Sequence, residues 1–288
     1  MKLAVFTVSL PEYDPIATVK ILGEAGYDGV EWRVAASAPA EKPADYTYER
    51  RYWSYNLSTI DISRIIAIAP GLKSLSGAAG LEICSLTTYL EPWQEEAIES
   101  VLAAAQAIGC PNIRVNVPKY NETENYRSLF GRTREQLGRL EQLAGRYGTR
   151  INFEIHMGNI IPSASAAFRL VSGFDPQRIG IIFDPGNMVH EGFENYRLGL
   201  ELLGQYLAHV HIKNALWRQT ETGAGGVAVW RPVWAPLKQG AADLRNLIRA
   251  LKAIGYDGYL SIEDFSNEAD TPTKVREGYR FLKDLINE

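Results

Sequence analysis

The chain has 288 residues, of which 46% are hydrophobic and 22% charged, a balance that supplies a sizeable core. A formal net charge of −4 provides no field for a polyanion and argues against nucleic acid as a partner. Two cysteines, Cys84 and Cys110, make neither a disulfide framework nor a zinc cluster, and no apolar stretch is long enough to span a membrane.

The opening run "MKLAVFTVSL" is too short for a signal peptide and predicts a first strand, with the cytoplasm as the expected compartment. In chain order, β-rich runs occupy 3–9, 29–34, 81–89, 112–117, 151–157, 179–184, 207–214 and 258–264. Amphipathic stretches lie between them. "DPIATVKILGEAG" presents Ile16, Val19 and Leu22 as its apolar face. "EEAIESVLAAAQAIG", "TREQLGRLEQLAGRYG" and "ADLRNLIRALKAIG" show helical spacing and end in a capping Gly. "GYDG" occurs at 26–29 and again at 255–258, each time at a helix-to-strand junction.

Strand and helix alternating throughout predict a parallel sheet, and eight such units predict a (β/α)8 TIM barrel. No linker or composition shift divides residues 1–288, so one domain is expected. A doubly wound sheet is the rival, but no G-x-G-x-x-G follows the first strand. Two connections are long: 35–58, with "YTYERRYWSYN", and 215–239, with Trp217, Arg218, Trp230, Arg231 and Trp234. Both leave the carboxyl ends of strands, where barrels build active sites, and both predict lids or binding walls.

Four of the last strands carry ligand-type residues near those ends: Glu154 with His156, Asp184, His211 with Lys213, and Glu263 with Asp264. Strand alternation puts Glu154 and His156 on one side, and likewise His211 and Lys213. His209 is read as structural, facing away from His211. Asp184, in "IIFDPGN", starts a turn on any reading. Three carboxylates and an imidazole converging on one pocket would repel one another without a cation. The set therefore predicts a metal site built from Glu154, Asp184, His211 and Glu263. Oxygen ligands with one nitrogen suit Mn²⁺ or Mg²⁺, with Co²⁺ or Zn²⁺ as alternatives.

The pieces "NFEIH", "IIFDPGN", "AHVHIKN" and "LSIED", in that order, resemble the xylose isomerase-like barrels of the sugar phosphate isomerase/epimerase family. The amino half matches only through its opening strand and "GYDGVEWR". The resemblance implies one divalent metal and a pair of glutamates, Glu154 and Glu263, that also move protons. A carbonyl polarised by the metal acidifies the neighbouring C–H, one glutamate takes that proton to give a cis-enediolate, and the other returns one. Two positions depart from the family pattern. Asn187 stands where many members have His, and "HIKN" ends in Asn214 where many have Asp.

The expected activity is thus isomerisation or epimerisation of a sugar or related polyol. Arg33, Asn116, His156, Asn187, Lys213 and Arg218 are candidate hydrogen-bonding groups, and Trp53 and Trp217 candidate stacking surfaces. The alternative is a lyase on the same chemistry, a dehydratase or an enzyme eliminating the aglycone of an oxidised C-glycoside, in some cases with a small partner subunit. A homo-oligomer is a further expectation. An apurinic endonuclease would need more histidines than His156, His190, His209 and His211. A metal-dependent binding protein is the non-enzymatic reading.

Overall fold

Each of the eight predicted strands forms, and their pairing order closes a barrel. The computed structural model describes residues 1–288. Its strands are β1 (Lys2–Phe6), β2 (Gly29–Ala35), β3 (Ile60–Asp61), β4 (Glu82–Thr87), β5 (Asn112–Arg114) and β6 (Arg150–Glu154). Then follow β7 (Ile179–Phe183), β8 (Leu207–Ile212), β9 (Ala215–Thr222), β10 (Ala228–Trp234) and β11 (Tyr259–Ile262). The barrel runs β1-β2-β4-β5-β6-β7-β8-β11, every neighbour parallel, and the pairing of β11 with β1 closes it. β3 adds two residues beside the end of β2.

The helices are α1 (Pro15–Ala25), α2 (Arg51–Ser54), α3 (Ile65–Ala78), α4 (Glu95–Ile108) and α5 (Tyr126–Tyr147). They continue with α6 (Ala164–Val171), α7 (Pro185–His190), α8 (Tyr196–Leu203), α9 (Leu244–Ala253) and α10 (Thr271–Asn287). Their ends obey local chemistry. Asp14, Ser163, Asp243 and Asp270 each accept a hydrogen bond from a first-turn N–H. In the repeated "GYDG", Gly26 and Gly255 take left-handed φ of 90° and 73°, where a side chain would cost strain. No helix is long and apolar enough to cross a membrane.

Two expectations need correction. Ile16 is 68% exposed, whereas Val19 and Leu22 are buried. Three-residue steps drift around a 3.6-residue helix, and Thr18 takes the inward place instead. Residues 215–239 are not an irregular loop. β9 and β10 pair antiparallel as a hairpin outside the barrel, turning at Gly223–Val227. The alternation in "ALWRQTET" and "AVWRPVW" around a Gly-rich turn is a hairpin signal.

Candidate metal centre and its pocket

Glu154 ends β6, Asp184 follows β7, His211 lies within β8, and Glu263 follows β11. One ligand atom from each falls within 4.8 Å of all the others, and all four residues are buried. His211 Nδ1 lies 3.1 Å from Glu154 Oε1, 3.6 Å from Asp184 Oδ2 and 3.8 Å from Glu263 Oε2. Parallel strands tilted into a barrel bring such ends together although they are far apart in sequence.

Asp184 does two things at once. Its Oδ1 accepts a hydrogen bond from the Asn187 N–H at 2.9 Å and caps α7, the task any Asp before Pro-Gly performs. Its Oδ2 faces the cluster, 2.9 Å from the Lys213 ammonium. Gly186 is required here by packing: a Cβ on it would lie 2.8 Å from the Lys213 backbone and side chain. Asn187 donates its amide protons to Glu154 Oε1 and the Ile155 carbonyl, and accepts from Lys213 at 3.0 Å. It supports the floor and does not line the cavity. Asn214, the other departure, donates to the carbonyls of Leu237 and Ala242 and accepts from the N–H groups of Ala215 and Ala242. A carboxylate could not donate to those carbonyls, which accounts for Asn at this position.

The residue not anticipated from sequence is Glu31. It is fully buried within the barrel, where His211 Nε2 meets its Oε1 at 3.1 Å and His209 Nε2 meets its Oε2 at 2.9 Å. Thr87 also donates to Oε1. Bonding of Nε2 to Glu31 leaves Nδ1 to face the four-residue cluster, the pattern in which a carboxylate fixes the tautomer of a ligating histidine. The expectation that His209 faces away from His211 is therefore overturned. Residues two apart on a strand share a face, and both rings enter the same interior. An acidic residue inside the apolar run "GVEWRV" was the available signal.

The charges are compensated unevenly. Glu154 Oε2 is paired with Arg114 at 2.8 Å. Burial opposes its charge, but Arg114, His211 and Lys213 hold the carboxyl well below its usual range. Burial pushes Glu263 up to about 7; Lys213 opposes that and the Glu154 charge adds to it. Burial disfavours charge on His211 too, yet Glu31 and Glu154 raise it well above an ordinary imidazole. Lys213 contacts Asp184 and Glu263, so part of the compensation comes from protein cations. Asp184 Oδ2 and Glu263 Oε2 remain buried acceptors without a well-directed hydrogen bond. Three hard oxygens and one imidazole nitrogen, two of the oxygens so disposed, fit a divalent metal ion.

Above the floor opens a cavity of about 410 Å³. Of the residues anticipated as substrate contacts, Asn116, His156, Lys213 and Trp53 line it, and four, Asn187 in the floor among them, do not. Arg33 is buried behind Tyr89, donating to its hydroxyl and to Thr59. Trp217 turns its indole N–H to the Val189 carbonyl, 2.8 Å away. Arg218 is exposed on β9, on the face opposite Trp217. Arg114 and Phe265 line the cavity without having been anticipated, and so does Trp234, named from sequence only as part of the long 215–239 connection.

The family model described as "Xylose isomerase-like TIM barrel" matches residues 19–285. An inosose dehydratase of Bacillus licheniformis is 27% identical over 150 residues, 50% of this chain and 48% of that protein. One of Geobacillus thermodenitrificans is 28% identical over 44% of each chain. The chain thus spans about half the length of the curated relatives it matches. Among solved structures, the 3-keto-D-glucoside 4-epimerase YcjR of E. coli superposes with a TM-score of 0.72 at 19% identity, covering 99% of both chains. The IolI protein with a bound zinc atom superposes at 0.70 and 16% identity, covering 100% of this chain and 98% of its own. At such identities these structures speak for the fold.

Proposed function

The chain belongs to the xylose isomerase-like TIM-barrel family, and on that premise we propose that it is a divalent-metal-dependent epimerase or isomerase of a keto-sugar. The observation that carries this reading is the convergence of Glu154, Asp184, His211 and Glu263 at the floor of an open pocket. These four residues would hold the metal, which supplies Lewis-acid polarisation of a carbonyl when bound. The two glutamates divide the proton work. Glu154 has one oxygen committed to Arg114, and Asn187 and His211 lie at the other. Glu263 lines the cavity with Oε2 against the Lys213 ammonium, accepts no directed hydrogen bond, and is the better placed proton acceptor. It removes the proton next to the carbonyl, giving a cis-enediolate; Glu154, or water beside it, returns one. His156 and Asn116 hold substrate hydroxyls from the polar side of the pocket.

The inosose dehydratases among the relatives favour a second reading, a lyase that expels a β-substituent from the same enediolate. One experiment tests both. Protein loaded with Mn²⁺ is incubated in D₂O with a 3-keto-glucoside or with D-fructose. Deuterium entering next to the carbonyl with all oxygens retained supports epimerisation, and loss of water or aglycone supports the lyase. No exchange with any keto-sugar, together with unchanged metal binding in Asp184→Ala, would sink the proposal.

A further inference from the structure

The cavity has two unlike sides. One is polar, with Arg114, Asn116, Lys119 and Asn159. The other is aromatic and is assembled from three separate connections: Trp53 after β2, Trp234 at the end of β10, and Phe265 after β11. The Trp53 and Phe265 rings are 4.9 Å apart, and the Phe265 and Trp234 rings 5.5 Å. Trp234 is locked from behind by His190 at 4.4 Å, and Phe265 by Tyr52 at 4.8 Å. The Lys213 ammonium sits 5.1 Å from the Trp234 ring and 5.3 Å from the Phe265 ring, so the wall begins beside the acidic floor. It ends at Trp53, which is 48% exposed.

Core packing accounts for Phe265, at 5% exposure, but not for Trp53. A large indole left half in water at a cavity mouth is held there at a cost in hydration, and its free surface faces the cavity. Reaction at the floor occupies one sugar ring. The remaining length of the wall and the volume of about 410 Å³ exceed what that ring fills and lie in the range of ~300–1,000 Å³ that takes drug-sized ligands.

We infer that Trp53, with Phe265 and Trp234, forms a subsite for a second, flat-faced ring attached to the reacting sugar, so that the substrate is a glycoside rather than a free monosaccharide. This rests on the keto-sugar reading above and narrows it. The polar side receives the hydroxyls of the reacting ring, while the aglycone lies against the indole of Trp53.

Equilibrium binding tests this without turnover. Calorimetry on the full-length, Mn²⁺-loaded protein compares phenyl β-D-glucopyranoside with methyl β-D-glucopyranoside, which share the sugar and lack a ketone. The phenyl glucoside is expected to bind about 10-fold tighter, as stacking plus added apolar burial provides. Trp53→Ala should shrink that advantage to within about 2-fold, and Trp53→Phe should keep most of it. Trp53 is a half-exposed residue of the one-turn helix α2, so the variant is expected to fold, and an unchanged melting temperature checks this. Equal affinities in the wild type, no measurable binding of either glucoside, or an advantage that survives Trp53→Ala would each overturn the subsite. Failure of the keto-sugar reading shows separately, as absence of deuterium exchange in D₂O.

Discussion

At the floor of the pocket, Asp184, His211 and Lys213 are at most 2% exposed, and each meets two or more charged groups. At the rim, Trp53, Trp217 and Trp230 are 48%, 46% and 55% exposed, on the short helix α2 and a hairpin that take no part in the barrel pairing. The floor is fixed by strands bonded on both sides. The rim is fixed by scattered side-chain contacts, such as the Trp217 indole N–H on the Val189 carbonyl and Arg51 on Glu12 and Asn267. A barrel thus holds the bond-making groups in a rigid frame and leaves recognition to segments that can change without disturbing it. Substitutions at the floor should therefore abolish chemistry, and those at the rim should tune binding.

The largest expected effect is at the floor and tests its asymmetry. Glu263→Gln should lower turnover by about 10²- to 10⁴-fold, the usual worth of a positioned acid or base. Glu154→Gln should lose turnover too, but through Arg114, which is left without its carboxylate partner. Its melting temperature should fall, whereas that of Glu263→Gln should hold. Comparable stability and comparable turnover in the two variants would remove the distinction between them.

Next comes Glu31, which lies beneath the floor and does not line the pocket above it. Glu31→Gln should weaken Mn²⁺ binding by about 10- to 100-fold, the range for outer partners of ligating histidines. The readout is metal affinity by calorimetry, alongside a melting temperature for the metal-free protein. Unchanged affinity would show that the barrel alone orients His211.

The floor was legible in sequence because ligand-type residues at matched strand ends are visible one strand at a time. Alternation also placed Glu154 beside His156 and His211 beside Lys213. Glu31 was hidden for a different reason. Its partners His209 and His211 are 178 and 180 residues away, and a lone Glu on an apolar strand announces neither. At the rim, residue type misled. Trp217, Trp230 and Trp234 lie on one hairpin, but only Trp234 reaches the cavity. That choice depends on how the hairpin packs on α7, which no local pattern encodes.

His190 joins the two regions, because its ring packs on Trp234 while its helix is capped by Asp184. Burial, aided by Lys213, lowers His190 from 6.5 to about 4. The sign follows from proton counting. Between pH 6.5 and 4 the unfolded chain binds a proton that the folded protein refuses. The neutral ring's contribution is thus complete above pH 6.5 and lost as pH falls toward 4. His190→Phe should keep the ring contact and flatten the decline, by up to about 1 kcal/mol per pH unit. Urea midpoints of the metal-free proteins at pH 7 and pH 5 measure this, and parallel declines would refute it.

The smallest effects belong to the hairpin and divide its two faces. Trp217 lies on the inward face and holds β9 to α7 through one hydrogen bond, so Trp217→Phe, which keeps a ring but loses the N–H, should cost about 1 kcal/mol. Because the hairpin also carries Trp234, KM should rise a few-fold while kcat stays near the wild-type value. Arg218 lies on the outward face, exposed and bonded to nothing, so Arg218→Ala should change stability by no more than about 0.5 kcal/mol and leave both kinetic constants alone. Melting temperature and steady-state kinetics for the pair decide the matter. If Arg218→Ala reduced turnover more than Trp217→Phe, the hairpin would have to fold over the pocket during catalysis with its outward face turned in. The rim would then share in the chemistry, and the division between floor and rim would fail.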